Sequence, residues 1–100
     1  MKKEEADWEI ITRERLAEMS RQHLLFEKTG GKEGELFNFV KCRLNDADLS
    51  GMNIDGIYIV EARLENCTFK GADLRGATLD FSTFINVDFR DVDLQIGYPI

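Results

Sequence analysis

Large apolar residues recur at every fifth position in the second half of the chain. The twelve positions are Phe39, Leu44, Leu49, Ile54, Ile59, Leu64, Phe69, Leu74, Leu79, Phe84, Phe89 and Leu94. A second, mostly small column precedes each of them by two residues: Phe37, Cys42, Ala47, Met52, Ile57, Ala62, Cys67, Ala72, Ala77, Ser82, Val87 and Val92. A step of five scatters residues around an α-helix and sends alternate strand residues to opposite faces. The pattern instead predicts a chain that bends once per five residues, always the same way, around one narrow interior.

The repeat also has a recognisable composition. Four segments show it best: Ala47-Asp48-Leu49-Ser50-Gly51, Ala62-Arg63-Leu64-Glu65-Asn66, Ala72-Asp73-Leu74-Arg75-Gly76 and Ala77-Thr78-Leu79-Asp80-Phe81. Over residues 37–96 the chain resembles the pentapeptide-repeat family. The resemblance implies an all-β fold, a right-handed quadrilateral (four-sided) β-helix of about three coils with about twenty residues per coil. Phe37, Met52 and Phe81 depart from the family consensus, Phe81 because Gly, Asn or a charged residue is usual there.

Upstream of the repeat the apolar spacing changes to steps of three and four residues, which indicates an α-helix. We expect this helix to run from Arg13 to Lys28, with Thr12 as its N-cap and Gly30-Gly31 as its stop. The leader resembles the segment before the repeats in short pentapeptide-repeat proteins of bacteria, phages and prophages, where the helix closes the first coil. The chain then divides into an N-terminal extension (1–11), a capping helix with its Gly-rich connector (12–36), the repeats (37–96) and a C-terminal tail (97–100).

We expect no second capping helix at the C-terminal end of the repeats, because six residues follow Leu94. The last coil is also the bulkiest, and leaving two of its large side chains half exposed forfeits about 1.5 to 3 kcal/mol. We therefore expect a homodimer through this coil. The alternative is that the tail folds back as a small plug. The candidate dimer interface consists of Phe81, Phe84, Phe89, Ile96, Tyr98 and Ile100.

Composition agrees with one compact domain, since the 100 residues are 43% apolar. No apolar run approaches the length of a membrane span, and the first residues lead into acidic ones rather than a signal-peptide core. The sequence therefore favours a cytoplasmic protein without membrane contact.

Cys42 and Cys67 both fall in the small column, where a free thiol behaves as a modest hydrophobe, so neither a disulfide nor a metal site is expected.

The sequence contains almost no signal of catalytic chemistry. The chain has one histidine and no nucleophile motif, phosphate-binding loop or metal-spaced cluster. His23 lies on the apolar stripe of the helix, where a structural role is far commoner than a catalytic one. A repeat filled by its own side chains also leaves no pocket of the usual size. We expect no enzyme, no cofactor and no catalytic or metal-binding residue.

What remains is the surface, which supports two hypotheses. In the first, the protein is a non-catalytic interaction module that docks on a protein partner of unknown identity, either through the open coil or through the apolar outer residues Val40, Tyr58 and Val60. In the second, suggested by the family resemblance, an acidic face imitates nucleic acid and inhibits a DNA- or RNA-binding enzyme. That face consists of Asp48, Asp55, Asp73, Asp88 and Asp93.

Length and charge limit the second hypothesis. Three coils spaced about 4.8 Å apart extend roughly 14 Å, and an end-to-end dimer about 28 Å, against about 34 Å for one duplex turn. A topoisomerase or gyrase target is therefore disfavoured, whereas a short stretch of phosphate backbone could still be imitated. The basic residues Lys70, Arg75 and Arg90 lie among these acids, so the electrostatic potential of the face is not of one sign. The net charge of −6 disfavours direct nucleic-acid binding.

Overall fold

The computed structural model describes residues 4–94. A short 3-10 helix (Glu5–Asp7) and strand β1 (Glu9–Ile11) precede helix α1 (Arg13–Lys28). The later strands are β2 (Asn38–Val40), β3 (Cys42–Asn45), β4 (Tyr58–Val60), β5 (Arg63–Glu65) and β6 (Thr83–Ile85). They form two parallel sheets, one in the order β1-β3-β5-β6 and one of β2 and β4. Within the described part of the chain, no helix is both long and apolar enough to cross a bilayer.

Strands of the repeat region pair with residues twenty positions further along the chain. Leu44 lies opposite Leu64, and Leu64 lies opposite Phe84. Single bridges continue the same offset between the strands, as from Asp73 to Asp93. Parallel pairing at a constant offset means that the chain coils about one axis, as in a β-helix. The pairing therefore brings together residues of the apolar column that the sequence predicts to stack.

A backbone bend of one hand recurs at every fifth residue. Among residues 4–94, eleven such residues have φ between 50° and 74°: Lys41, Asp46, Gly51, Gly56, Glu61, Asn66, Gly71, Gly76, Phe81, Asn86 and Asp91. Each follows a large inward residue by two positions. None of the eleven is β-branched, in keeping with the steric penalty on such residues at positive φ. The observation confirms that the chain bends once per five residues in a constant direction.

The interior of the coil is filled by the two apolar columns, but not along its whole length. The large column is buried from Phe39 through Leu74. Leu79, Phe84 and Phe89 are only half-buried, and Leu94 is exposed. The reason is that each of these side chains belongs to the last described layer. No described residue lies twenty positions beyond them to cover them.

Helix α1 begins and ends at the residues that the sequence predicts. The Thr12 hydroxyl accepts the Arg15 N–H at 3.0 Å, which satisfies one free amide of the first turn. At the other end Gly31 N–H donates to the Phe26 carbonyl at 2.8 Å, and Gly30 N–H donates to Glu27 at 3.3 Å. This pair of bonds is a Schellman motif, which needs the positive φ of 65° that Gly30 adopts.

His23 fastens α1 to the first coil. Its fully buried ring stacks on Phe37, with ring centroids 4.7 Å apart. Phe37 N–H donates to Nδ1 at 3.2 Å, so the ring proton must reside on Nε2. Nε2 donates to the Asn53 carbonyl at 2.8 Å and lies 2.7 Å from a Glu27 carboxylate oxygen. These contacts give His23 the structural role that its position on the apolar stripe predicts.

Strand β1 is an element that the sequence does not predict. It pairs in parallel with β3, Glu9 lying opposite Cys42 and Ile11 opposite Leu44. Ile11 is buried, whereas Ile10 points to solvent. A strand of three residues is too short to show an alternating pattern, which is why residues 1–11 read only as an extension. The N-terminal cap therefore combines one helix with one strand.

Candidate interaction surfaces

The acidic residues singled out in the sequence lie in separate columns along the coil. Asp73 and Asp93 are bridge partners, and Asn53 precedes them in the same column. Asp48 and Asp88 belong to another column, in which Thr68 lies between them. The structure therefore brings Asp73 and Asp93 together and keeps Asp48 and Asp88 two layers apart.

Three of these aspartates bond the backbone of their own bends. Oδ1 of Asp48 accepts the Ser50 N–H at 3.0 Å, Oδ1 of Asp73 accepts the Arg75 N–H at 3.1 Å, and Oδ1 of Asp88 accepts the Arg90 N–H at 2.9 Å. Thr68 makes the equivalent bond to Lys70 at 3.1 Å. Asp and Thr side chains favour such turn bonds. The acids that form the candidate acidic face therefore also shape their own bends.

Two of these three aspartates are neutralised by arginines two residues later. The Arg75 side chain donates two hydrogen bonds to the Asp73 carboxylate, of 2.9 and 2.7 Å, and lies 3.7 Å from the Asp93 carboxylate. Arg90 grips Asp88 in the same way, with its shortest bond at 2.7 Å. Hydrogen bonds from the arginine side chains lower the pKa of Asp73 and bring that of Asp88 to about 2. The surface therefore alternates in sign, unlike the phosphate backbone of a nucleic acid.

The pairing of Asp88 with Arg90 predicts an acid titration. Because the folded-state pKa of about 2 lies below the ordinary value of about 3.9, the Asp88 carboxylate stabilises the fold above the ordinary value. That contribution is lost as the pH falls through about 2. We expect a carboxyl-carbon NMR titration of Asp88 to show this low midpoint, and Arg90→Ala to move it up towards the ordinary value. An unchanged midpoint in the variant would refute the role of Arg90.

A second surface consists of apolar residues on the outer side of the β2-β4 sheet. Val40 and Val60 are direct partners across the two strands, and Tyr58 is the partner of Asn38. Tyr58 and Val40 are 54% and 42% exposed, and Val60 is half-buried. The structure therefore places Val40, Tyr58 and Val60 on one sheet, as the sequence analysis requires.

Phe81 lies at the edge of the same sheet. Phe81 occupies a bend position in the last coil. The equivalent bend residue one layer earlier is Glu61, which follows Val60 in the sequence. Its side chain is 86% exposed and its φ is 57°, a conformation that bulky residues rarely adopt. We call Val40, Tyr58, Val60 and Phe81 the side surface.

The candidate dimer residues do not form one cluster in the described structure. Phe84 and Phe89 point into the open end of the coil and pack edge to face, with centroids 5.3 Å apart. Phe81 instead projects outward from a bend. The other candidates, Ile96, Tyr98 and Ile100, lie outside the described residues. The terminal apolar residues therefore divide into an open end and an outward Phe81.

Comparison with protein families gives a match over residues 59–95, described as pentapeptide repeats in eight copies. Residues 59–95 therefore consist of pentapeptide repeats. This confirms the family resemblance seen in the sequence. The match begins at Ile59, whereas the regular bends and the pairing at an offset of twenty begin earlier, in β2 and β3. No curated protein and no solved structure matches the chain.

The conformation of Phe81, within the matched repeats, leads to a stability prediction. Glycine adopts positive φ freely, whereas an L-residue in the left-handed region costs about 1 to 2 kcal/mol. We expect Phe81→Gly to unfold with a free energy about 1 kcal/mol higher than Phe81→Ala, which removes the same exposed ring but keeps a Cβ. Urea denaturation of both variants measures the difference. Equal stabilities would show that the bend at Phe81 carries no strain.

The two cysteines in the repeat interior lie in environments that suppress thiol reactivity. Burial raises the pKa of the Cys42 thiol to about 12, with a further contribution from Glu9, and burial also raises the pKa of the Cys67 thiol. Both cysteines are free and buried. Thiolate is the nucleophilic and metal-binding form, so these environments suppress both reactions. Between residues 4 and 94, no three His, Cys, Asp or Glu side chains are grouped to hold a metal ion. The lack of catalysis remains a prediction.

Proposed function

We propose that this pentapeptide-repeat protein is a non-catalytic module that binds another protein through the side surface. The observation that carries the proposal is Phe81, which is 86% exposed and held in an unfavourable backbone conformation. The other described bends carry Gly, Lys, Asn, Asp or Glu, so Phe81 places a large apolar ring where this chain otherwise has a glycine or a polar residue. A partner that buries such an aromatic ring gains about 1.5 to 3 kcal/mol from that residue.

The proposed scaffold is a right-handed, four-sided β-helix of about three coils. Two observations support four sides: bends occur every five residues and pairing occurs every twenty, so four bends separate paired residues. The handedness follows from the family resemblance. On this scaffold the side surface occupies one flat side and the corner that ends it. A rigid, flat apolar side suits docking on a preformed surface of the partner.

A cytoplasmic location is part of the same proposal. The two buried cysteines are free thiols, which is the state that a reducing compartment maintains. The interaction that we propose involves no membrane and no direct contact with nucleic acid. The negative net charge of −6 supports the second point, because nucleic-acid affinity depends on neutralising phosphates with basic residues.

Imitation of nucleic acid is the second candidate function. An acidic surface on the repeats favours it, but Arg75 and Arg90 neutralise Asp73 and Asp88 at close range. The carboxylates of these two aspartates also serve their own bends. An inhibitor that imitates phosphates needs unpaired charges of one sign. The side surface is therefore the better supported site.

Self-association through the open end is a further proposal about the assembly. Phe84 and Phe89 are half-buried there, and the neighbouring Ile85 is 41% exposed. A two-fold contact would cover the same patch on both chains. Sedimentation velocity over a range of concentrations tests it. A monomer at all concentrations would rule out the dimer without affecting the side surface.

The test of the proposed function is affinity capture from host lysate with matched variants. Tyr58→Ala and Phe81→Gly each reduce the side surface, while Ile10→Ala removes another exposed apolar side chain, from β1, as a control. Asp55→Lys combined with Asp93→Lys tests the acidic residues and leaves the bend bond of Asp73 intact. We expect the side-surface variants to lose a partner that the control and the lysine variant retain. Loss of the partner with the lysine variant alone would support nucleic-acid imitation instead.

A further inference from the structure

Phe81 of the side surface has two carboxylate residues as neighbours. Asp80 precedes it in the chain, and Glu61 occupies the equivalent bend one layer earlier, about 4.8 Å away along the coil. Glu61 N–H donates to the Asp80 carbonyl at 3.0 Å, so the two layers are joined at this corner. Among residues 4–94, neither the Glu61 nor the Asp80 carboxylate makes a hydrogen bond or an ion pair. One corner of the coil therefore combines an exposed aromatic ring with two unpaired negative charges.

Several other acids of the repeats are paired with arginine. Asp73 and Asp88 each bond an arginine two residues later, at 2.7 Å. Glu61 also has an arginine two residues later, Arg63, but that side chain bonds Glu65 at 2.8 Å instead. The spacing that neutralises the two aspartates therefore leaves Glu61 without a partner.

The other base in this column of bends is Lys41. It occupies the bend one layer before Glu61, and its N–H donates to the Val60 carbonyl at 3.1 Å. Its ammonium makes no ion pair in the described part of the chain. Because Glu61 lies between Lys41 and Phe81 in the column, the charge next to the ring is negative.

A partner residue that covers Phe81 also removes water from these carboxylates. An apolar residue would leave the half-buried Glu61 carboxylate without compensation, which is unfavourable. A cation avoids that cost, and the face of an aromatic ring attracts it as well. Arginine suits both contacts, since its planar guanidinium stacks on rings and donates hydrogen bonds to carboxylates. Charge complementarity therefore favours an arginine over an apolar residue at this position.

We propose, on the basis of the docking function above, that the side surface binds a protein segment in which an arginine is flanked by apolar residues. The guanidinium stacks on Phe81 and pairs with Glu61 and Asp80. The flanking apolar side chains cover Tyr58 and Val60, which are the exposed and half-buried parts of the same side.

A partner protein is a better source of this arginine than a second copy of the chain. The exposed arginines of the repeats, Arg75 and Arg90, already bond aspartates of their own bends. The net charge of −6 also makes two copies repel each other. The occupant of the side surface is therefore a segment of a different protein.

The proposed ion pairs add little salt dependence to docking. Glu61 is half-buried, and the Phe81 ring covers one face of the cation. Ion pairs in such surroundings are screened less than fully exposed ones. The ring and its apolar neighbours therefore govern affinity, and the carboxylates select arginine over a neutral side chain of the same shape.

An NMR titration of the full chain with two capped tripeptides tests the proposal. One is Val-Arg-Val, and the other carries citrulline, an uncharged side chain of nearly the same shape, in place of arginine. We expect the arginine peptide to shift the ring protons of Phe81 and the carboxyl carbon of Glu61. At equal concentration, the citrulline peptide is expected to produce at most about a third of these shifts.

Matched variants separate a local site from general attraction between charges. Glu61→Gln is expected to reduce the Phe81 shifts about threefold. Asp91→Asn makes the same change of charge at an exposed bend ten residues after Phe81, which is half a coil away. We expect Asp91→Asn to respond like the wild type. Equal losses in the two variants would overturn the proposal, because they would show that only net charge attracts the peptide.

Two further results would overturn it. Equal shifts with the arginine and citrulline peptides, or no shift at Phe81 with either, would show that the ring does not select a cation. In the capture experiment, a partner lost by Phe81→Gly but fully retained by Glu61→Gln and Asp80→Asn would refute the arginine and leave docking supported. A partner retained by Phe81→Gly would instead refute docking through the side surface.

Discussion

Leu64→Asp is expected to abolish folding of the repeat region, the largest effect that we anticipate for any single substitution. Leu64 is fully buried and lies between Leu44 and Phe84 in neighbouring layers. Truncation of such a leucine to alanine costs about 2 to 5 kcal/mol, and burial of an unpaired carboxylate adds to that loss. A domain of this size has a total stability of about 5 to 15 kcal/mol. Circular dichroism and thermal denaturation should therefore show no cooperative transition.

The matched control for this substitution is Thr83→Asp. Thr83 is exposed, on β6, and its partner across the sheet is Arg63 of β5, so the new carboxylate faces solvent and a positive charge. We expect its stability to remain within about 0.5 kcal/mol of the wild type. Similar stabilities for Thr83→Asp and Leu64→Asp would mean that the apolar column does not form the interior.

His23→Ala is expected to lower the free energy of unfolding by about 3 kcal/mol. The substitution removes the ring that stacks on Phe37 and leaves the Phe37 N–H and the Asn53 carbonyl without their bonds. Each buried polar group that loses its partner contributes about 1 to 3 kcal/mol to the loss. Because His23 joins the helix to two segments of the first coil, we also expect amide exchange throughout α1 to accelerate. Urea denaturation and hydrogen exchange measure the two effects.

Leu24→Ala provides the comparison on the same helix. The Leu24 side chain is 57% exposed, and alanine favours helix formation slightly more than leucine. The variant should therefore match the wild type within about 0.5 kcal/mol. If His23→Ala destabilised the protein no more than Leu24→Ala does, α1 would be an appendage rather than a cap.

Much of the fold can be predicted from the sequence because its determinants are local and repeated. Every layer has the same apolar spacing. A large residue such as Leu64 is therefore one of twelve in equivalent positions of the repeat, and each of them supports the same prediction. The bounds of the helix are equally predictable. Thr12 is a typical N-cap residue, and Gly30 is typical of the positive-φ position that follows a helix. Both predictions rest on side chains whose role is decided within a few residues of sequence.

The sequence is less informative where the outcome depends on neighbours from distant layers. Ile11 pairs with Leu44 in a strand too short to have a period, so β1 was missed. Phe81 belongs to the same sequence cluster as Phe84, yet the bend turns its ring outward. The exposure of Phe89 depends on which residues follow in the next layer, and the repeat pattern alone does not specify where the layers end.

The candidate site was predictable in its apolar part and not in its acidic part. Val40 and Val60 share an offset of twenty, so their position on one side follows from the repeat. The bonds of Asp73 and Asp88 to their own bends depend on side-chain geometry that a count of charges does not contain. Those bonds change the acidic residues from a proposed recognition surface into part of the scaffold.

The most direct test of the central claim, docking through the side surface, is the salt dependence of the dissociation constant of the captured partner. Apolar contacts respond weakly to salt, whereas imitation of phosphates depends on exposed charges that salt screens. Calorimetry at about 0.05 and about 0.5 M salt spans screening lengths from above 10 Å to below 5 Å. The account predicts a dissociation constant that changes less than about threefold, with Phe81→Gly weakening binding at both concentrations. A loss of affinity of about a hundredfold or more at the higher salt, equal in the wild type and Phe81→Gly, would contradict it.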